Sequence, residues 1–253
     1  MNKYAAYIMI GLARIWGGMS LLAFVIFLFV GSLNLLDMHL DESGVLWVDA
    51  ALSLLFFIQH SVMVRKPFRR WLARFIPEDY ASAIYAIASG IVLLLVILLW
   101  QTSTHTIIAP FGILRWSLRT VSFFSLLGFY WGVKALRFFD PFGLRPIFNR
   151  LRGRNPRPLP FTVAGPYRWV RHPLYLFMIL MTWACPDLTA DRLLFNLLWT
   201  LWVAIGSCFE ERDLIVEFGD AYREYQKRVP ILIPFLKWPT REPIIVNRGH
   251  ERD

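Results

Sequence analysis

Long apolar runs separated by short polar segments dominate the hydropathy pattern of this chain. A helix that crosses a bilayer needs roughly 20 mostly apolar residues. Four stretches in the first half meet or approach that length, at residues 15–36, 46–64, 81–101 and 120–136. We therefore predict four membrane helices in this half.

The apolar region at residues 174–208 is broken by the polar stretch 186–191, which leaves two shorter runs. Each run is near the lower length limit for a spanning helix. We expect a tight helical hairpin here, either fully spanning or partly re-entrant. The prediction is thus an all-α polytopic membrane bundle of about six segments, the last two forming a short hairpin.

Loop charges give an orientation. Residues 65–74 hold five Lys or Arg, whereas the acidic loop at 37–42 holds none. The loop after the fourth segment adds eight arginines: Arg137, Arg145, Arg150, Arg152, Arg154, Arg157, Arg168 and Arg171. Because basic loops stay in the cytoplasm, both termini are predicted to be cytoplasmic. The first apolar run is too long for a signal peptide and no small-residue cleavage site follows it, so we interpret it as a membrane helix.

Composition supports the membrane interpretation and excludes other classes. The chain is 57% hydrophobic, with 11 Trp and 21 Phe. Its net charge of +9 lies in loops between apolar runs, which argues against nucleic-acid binding and for membrane topology. Cys185 and Cys208 both lie in apolar stretches without a CxxC pattern, so neither a zinc site nor a disulfide framework is predicted.

After Cys208 the chain becomes polar. Residues 210–228 have a helical pattern and are predicted to extend the last membrane helix into the cytoplasm, ending before Pro230 and Pro234. Three aromatic residues are spaced to share one face of this helix: Phe218, Tyr222 and Tyr225. We therefore divide the chain into a transmembrane region, 1–136, and a region at 137–253 that carries the candidate chemistry.

The stretch 165–175, G-P-Y-R-W-V-R-H-P-L-Y, is the most informative part of the chain. Gly165-Pro166 makes a turn, and Pro173 suits the first turn of a helix, where no backbone donor is needed. The free N–H groups of that helix start could bind an anion such as a carboxylate. An ordinary basic loop where the chain re-enters the membrane would have the same composition, and from the residues alone both interpretations stay open.

Two further stretches are ambiguous when taken singly. Glu210-Glu211-Arg212-Asp213 could be a solvated end of a membrane helix. The sequence F-G-D-A-Y-R-E-Y at 218–225, followed by Arg228-Val229-Pro230, could be an interfacial aromatic belt.

Together the three stretches resemble the isoprenylcysteine carboxyl methyltransferase and phospholipid methyltransferase superfamily. The shared pattern is G-P-Y-x-x-V-R-H-P-x-Y, then E-E about 35 residues on, then F-G-x-x-Y-x-x-Y, within residues 165–234. The resemblance implies that this region binds S-adenosylmethionine at the cytoplasmic face without a Rossmann domain. The absence of a GxGxxG after a strand agrees with that.

The N-terminal half narrows the resemblance. Q-H-S-V-M at 59–63 with R-K-P-F at 65–68, and F-G-L-R at 142–145, resemble the NnrU-type branch and, more closely, bacterial methanethiol S-methyltransferases. Those enzymes methylate methanethiol to dimethyl sulfide. The resemblance implies an integral protein of the bacterial inner membrane with a small thiol substrate.

Roles carried over from the resemblance are hypotheses about this chain. Residues implied to bind the cofactor include Arg171, His172, Pro173 and Tyr175. Its methionine part would be held by His172, Tyr175 and the N–H groups after Pro173. Glu210 or Glu211 would face its ammonium or sulfonium charge, because a sulfonium ligand favours carboxylates and aromatic faces. Residues implied to pack the adenosine are Tyr167, Tyr222 and Tyr225. Glu211 and Arg228 are candidate catalytic residues, with Arg228 closing the site. Phe177 departs from the family, which often has Gly at that position.

His60 is a candidate base that removes the thiol proton, because an ionisable side chain deep in a membrane helix suggests function. Asp49, roughly three helical turns earlier, is expected to face the bundle interior. A structural histidine bonded to a neighbouring helix is the alternative. In another alternative, the basic loop favours the thiolate and no single base exists.

Two other functions remain open from the sequence. A lipid or isoprenylcysteine methyltransferase of the same superfamily would need a lipid-accessible groove between helices. A nonenzymatic NnrU-like membrane protein or a transporter would have no reason to bind S-adenosylmethionine.

Overall fold

The computed structural model describes residues 3–136, 139–154, 161–234 and 245–246. Arg137 and Arg157 of the predicted basic loop lie outside these ranges. The chain divides into two compact units. Unit 1 comprises Met1–Leu118, Asp140–Pro156 and Cys185–Trp199, and unit 2 comprises Arg119–Phe139, Arg157–Ala184 and Thr200–Asp253. Each unit therefore combines segments from both of the predicted regions, 1–136 and 137–253.

Helices make up most of the described residues. The α-helices are α1 Lys3–Val30, α2 Glu42–Val64, α3 Lys66–Leu72, α4 Ala81–Leu99, α5 Gly112–Ala135, α6 Arg145–Leu151, α7 Pro173–Trp183, α8 Ala190–Phe218 and α9 Asp220–Arg228. Short 3-10 turns occur at Glu78–Tyr80 and Gly165–Arg168. The strands are β1 Thr106–Ile108, β2 Phe161–Thr162, β3 Leu188–Thr189 and β4 Ile245–Val246, and they pair antiparallel as β1 with β3 and β2 with β4.

Four spans in the described part of the chain are long and apolar enough to cross a membrane: Lys3–Val30, Glu42–Val64, Glu78–Leu99 and Ala190–Phe218. The 11-residue α7 is a shorter apolar helix, and α5 is 24 residues long. These six helices correspond to the six predicted segments, and the predicted helical membrane bundle is confirmed. The predicted hairpin consists of a short α7 and a long α8.

Several predicted boundaries are wrong. The first helix ends at Val30 rather than at residue 36, and α5 begins at Gly112 rather than at residue 120. The first helix begins at Lys3 rather than at residue 15, because Arg14 does not end it. The Arg14 guanidinium lies 5.8 Å from the ring centre of Phe148, within unit 1, so a charged residue is accommodated in the helix. The predicted continuous helix over 210–228 is broken at Gly219, whose φ of 59° is in the left-handed region that favours glycine.

Small residues let α1 and α4 approach closely in unit 1. A Cβ placed at Gly90 on α4 would lie 2.8 Å from the carbonyl oxygen of Trp16 on α1. A buried cluster next to this contact joins small and large side chains: Ala6, Ile10, Ala13, Tyr80, Ala83, Leu144 and Ile147. Packing of this kind stabilises helix pairs in a bilayer, where the lipid is as apolar as the side chains.

Three carboxylates fix the chain after α4. The Asp49 Oδ1 accepts the N–H of Gln101 at 2.9 Å, and the Asp191 Oδ1 accepts the N–H of Ser103 at 3.0 Å. The Glu42 Oε1 accepts the N–H of Thr104 at 2.8 Å. These carboxylates hold three nearly consecutive backbone donors where α4 ends.

In unit 2, glycines on α5 make room for side chains of α7. A Cβ placed at Gly128 would collide with the ring of Phe177, and one at Gly132 would lie 2.7 Å from the Cδ2 of Leu174. Gly128 and Gly132 are one helical turn apart, so they form a single groove. Phe177 and Leu174 fill that groove.

Candidate active site

The described part of unit 2 brings most of the predicted site residues together around the buried carboxylate of Glu211. The Glu211 Oε1 accepts from the Arg171 Nε at 2.8 Å, from the His172 Nε2 at 2.8 Å and from the Tyr222 Oη at 2.7 Å. Its Oε2 accepts from the Arg171 Nη2 at 2.9 Å and from the Nε2 of Gln226. Five donor atoms from two chain segments thus converge on a residue of α8.

This network compensates the burial of the Glu211 charge. The side chains of Arg171 and Glu211 are only 10% and 8% exposed, and their bidentate pairing is the strongest geometry for such ions. Burial, and then the hydrogen bond to Glu211, raise the pKa of the Tyr222 phenol above its ordinary value. Tyr222 therefore stays protonated and can donate at neutral pH. Glu211 acts as the anchor of the site.

Glu210, the next residue, has a different environment. Its side chain is 46% exposed, and it accepts a hydrogen bond from the Tyr175 Oη at 2.8 Å. The His172 Nδ1 lies 3.6 Å from the Glu210 Oε2, and the His172 and Tyr175 rings stack with their centres 5.4 Å apart. Glu210 is thus an oriented carboxylate with an accessible side.

Backbone contacts fasten the segment after α9 to the 165–175 stretch. The N–H of Arg171 donates to the Pro230 carbonyl at 2.9 Å, and the N–H of His172 donates to the Ile231 carbonyl at 3.2 Å. The Arg171 Nη1 also donates to the carbonyl oxygens of Gln226, at 3.1 Å, and of Val229. Arg171 therefore links the carboxylate of α8 to the end of α9.

Of the predicted aromatic residues, Tyr222 and Tyr225 are buried and Tyr167 is partly buried. Tyr222 and Tyr225 form a cluster with Val163 and Val229, and Phe161 and Tyr167 pack against it. The Tyr225 Oη donates to the Tyr167 carbonyl at 2.6 Å. Burial raises the pKa of the Tyr167 and Tyr225 phenols above their ordinary value.

Pro173 begins α7 as predicted, with His172 at the N-cap and no side-chain hydrogen bond capping the helix. The ring of Phe177, the residue that departs from the family pattern, lies against Gly128 of α5. In a helix, residues 175 and 177 point in different directions because two positions correspond to about 200° of rotation. The bulk of Phe177 is therefore directed away from the Tyr175 side of α7.

Two further residues of α9, Arg228 and Gln226, have different surroundings. Arg228 is half exposed, and its guanidinium pairs with Glu224 at 2.9 Å. Gln226 was not predicted, although it donates to Glu211. The spacing of Tyr222 and Gln226, four residues apart on α9, is the signal that could have found it, since such positions share one helical side.

His60 lies in unit 1, on α2. The Tyr85 hydroxyl of α4 is 2.7 Å from its Nε2, and the Phe56 and His60 ring centres are 5.2 Å apart. Next to it, the Gln59 Nε2 donates to the Ser89 Oγ at 3.2 Å. His60 is thus hydrogen-bonded to a neighbouring helix. Such a contact is expected for a structural histidine and also for a base whose ring must be oriented. Its catalytic role stays a prediction.

Comparison with known proteins decides the family. Methanethiol S-methyltransferase 2 of Bradyrhizobium diazoefficiens is 40% identical over 189 residues, which cover 75% of this chain and 73% of that protein. This chain belongs to the methanethiol S-methyltransferase family. Family members from Pseudomonas sp. (strain GM41(2012)) and Mycobacterium tuberculosis are 37% and 34% identical, over 76% and 74% of this chain and 76% and 75% of those proteins. The predicted branch of the superfamily and the predicted methyltransferase class are confirmed.

A more distant similarity accompanies the methanethiol S-methyltransferase matches. Nurim of Mus musculus is 27% identical over 66% of each chain. No protein-family model matches this chain, and no solved structure matches it significantly.

Proposed function

We propose that this membrane protein transfers the methyl group of S-adenosylmethionine to methanethiol and releases dimethyl sulfide. The site assignment rests on the contrast between two neighbouring carboxylates, Glu211 and Glu210. Glu211 is engaged by five donor atoms, while Glu210 is half exposed and oriented by Tyr175. The names of the 33–40% identical relatives support the thiol substrate.

The donor and acceptor groups of unit 2 fit S-adenosylmethionine. Its methionine part carries an ammonium and a carboxylate beside the sulfonium. Glu210 offers an accessible carboxylate to one of the positive groups. The start of α7 offers the N–H groups that follow Pro173 to the carboxylate, since the first turn of a helix leaves its backbone donors free. When bound, S-adenosylmethionine would supply an electrophilic methyl group.

Arg171, His172 and Glu211 have a positioning role in this proposal. Arg171 and His172 join Glu211 to the segment after α9 and hold α7 at its first residue. Rate enhancement of a displacement depends strongly on such fixed geometry. Tyr167, Tyr222 and Tyr225 give this part of the site an apolar, rigid wall.

The thiol must lose its proton to become the nucleophile. We retain His60 as the proposed base, with Tyr85 orienting its ring, and the alternative that the basic loop favours the thiolate. The proposed location is the bacterial inner membrane, with both termini in the cytoplasm, because the basic loops would then lie on the cytoplasmic side.

The proposal is tested by headspace gas chromatography over the purified protein in detergent. Dimethyl sulfide is expected only when S-adenosylmethionine and methanethiol are both present. The matched pair of variants is Glu210→Gln, which is expected to lose activity at low cofactor concentration, and Asp220→Asn, which removes an exposed carboxylate of α9 and should retain activity. Calorimetric titration with S-adenosylmethionine accompanies each assay.

Three outcomes would revise the proposal. Cofactor binding without dimethyl sulfide would favour a lipid or isoprenylcysteine acceptor, which would then be assayed. Neither binding nor product would favour a nonenzymatic protein. Product formation that is unaffected by Glu210→Gln would leave the thiol reaction in place and overturn the assignment of Glu210.

A further inference from the structure

Residues 65–76 connect α2 to the span Glu78–Leu99, and we name them the 65–76 segment. Aromatic and basic residues occupy different parts of its surface. Its aromatic residues recur at three- and four-residue intervals, at Phe68, Trp71 and Phe75. Consecutive rings contact each other, with centres 5.4 Å apart in both pairs. Trp71 and Phe75 are 49% and 70% exposed, so this aromatic row lies on the surface of unit 1.

Basic residues occupy the other side of the same segment. Lys66, Arg70 and Arg74 follow each other at four-residue intervals, and all three are exposed. Past the end of α3 at Leu72 the chain continues in turns, in which the N–H of Arg74 donates to the Trp71 carbonyl at 3.2 Å and the N–H of Phe75 to the Leu72 carbonyl at 3.0 Å. Lys66 and Arg70 share one side of α3, because positions four apart in a helix do, and Arg74 follows in the turn after it.

Several other basic residues of the described chain pair with an acidic side chain. Arg150 pairs with Asp79, Arg223 with Asp220 at 2.9 Å, and Arg115 with Asp187 at 2.7 Å. Within the described ranges, no side-chain hydrogen bond or ion pair engages Lys66, Arg70 or Arg74. No acidic residue occurs from residue 65 to residue 77. The positive charge of the segment is thus available to an external anion.

The position of the segment in the chain brings it to the membrane surface. The preceding span Glu42–Val64 and the following span Glu78–Leu99 are both long and apolar enough to cross a bilayer. The segment that joins them must therefore lie at one interface. Exposed aromatic rings beside unpaired cations are typical of helices that lie in the headgroup region of a membrane.

We propose that the 65–76 segment binds anionic phospholipids, with Lys66, Arg70 and Arg74 contacting the headgroup phosphates and Trp71 and Phe75 resting on the acyl boundary. Charge complementarity selects the lipid class, because basic juxtamembrane residues attract anionic headgroups far more than zwitterionic ones. This inference is independent of the catalytic proposal and adds a lipid-recognition surface.

The test is native mass spectrometry of the full chain, released from detergent after incubation with equal amounts of phosphatidylglycerol and phosphatidylcholine of identical acyl chains. The wild-type protein is expected to retain phosphatidylglycerol preferentially, and added salt should weaken this preference. Arg70→Gln/Arg74→Gln should reduce the preference roughly tenfold. Trp71→Ala/Phe75→Ala should reduce retention of both lipids while the preference persists.

The matched control is Arg223→Gln/Lys227→Gln, which removes the same charge from α9, where both cations are paired with acidic residues. This control should keep the wild-type lipid preference. The proposal is overturned if the wild-type protein retains the two lipids equally. It is also overturned if the preference survives in Arg70→Gln/Arg74→Gln, or if the control reduces it to the same extent.

Discussion

The two units use buried carboxylates in different ways. In unit 1, Asp49 and Asp191 accept mainly backbone N–H groups from the residues that follow α4. In unit 2, Glu211 accepts only side-chain donors, from Arg171, His172 and two residues of α9. A carboxylate that accepts backbone N–H groups fixes a turn whatever side chains the residues of that turn carry. One bound to side chains requires specific residues at several positions.

This difference explains why the partners of Glu211 form a readable sequence motif and those of the unit 1 carboxylates do not. The partners of Glu211 are side-chain donors of Arg, His, Tyr and Gln, so their spacing is visible in the chain. The partners of Asp191 are the N–H of Ser103 and the Trp100 indole, and a backbone donor leaves no mark on the sequence. The comparison predicts that changes at Glu211 will affect chemistry and stability together, whereas changes at the unit 1 carboxylates will affect stability alone.

The largest effect is expected for Glu211→Gln. Without the carboxylate, Arg171 and His172 remain buried without their anion, and removing one partner of a buried ion pair costs about 3–5 kcal/mol. The free energy of unfolding and the affinity for S-adenosylmethionine should fall together, as measured by denaturation in detergent and by calorimetry. Glu217→Gln, an exposed change on the same helix, serves as the control. Wild-type stability in Glu211→Gln would contradict the anchor role.

His60→Ala is expected to lower methyl transfer about 10²–10⁴-fold, the range typical of a lost general base. Cofactor affinity should stay near that of the wild type. Tyr85→Phe is the matched variant, because it keeps the aromatic contact and removes only the hydroxyl that faces His60. Unchanged turnover in His60→Ala would remove this residue from the mechanism and favour the structural alternative.

Glu210→Gln should weaken cofactor binding by about 10- to 100-fold, since a hydrogen bond to a charged group contributes about 1.5–3 kcal/mol. Because Glu210 is half exposed, the unfolding transition should hardly move. Calorimetry and denaturation on the same sample measure both quantities. If stability falls while affinity does not, Glu210 belongs to the scaffold and the contrast with Glu211 fails.

The smallest functional effect is expected for Asp191→Asn. The substitution weakens the acceptor of the Ser103 N–H and the Trp100 indole N–H, and it should cost about 1–3 kcal/mol of unfolding free energy. Turnover per folded molecule and cofactor affinity should not change. Loss of turnover at full folding would show that the unit 1 carboxylates contribute to catalysis and not only to stability.

Much of the fold could be predicted because membrane helices follow from apolar length. The predicted stretch 46–64 corresponds to α2 at Glu42–Val64, and 81–101 corresponds to α4 at Ala81–Leu99. The start of α1 was missed because the uncharged stretch begins only after Arg14, whose side chain lies near the ring of Phe148. Such a contact between distant parts of the chain is not encoded in local hydropathy.

The site was predictable where side chains of the motifs contact one another. Arg171 and His172 were grouped with Glu211 from the resemblance, and the structure brings them within hydrogen-bonding distance. The sequence could not tell which of the two residues, Glu210 or Glu211, is buried and which is half exposed, since adjacent residues on a helix differ only in the direction in which their side chains point. The break at Gly219 was missed because the aromatic spacing around it is compatible with a continuous helix.

The contact between Gly128 and Phe177 has a consequence for how this chain can vary. Residues 128 and 177 fill one space between α5 and α7. A larger side chain at one position therefore requires a smaller one at the other. A relative with a larger residue at the first position should have a smaller one at the second. The departure of Phe177 from the family pattern is therefore expected to be one of two coupled differences, the other being at position 128.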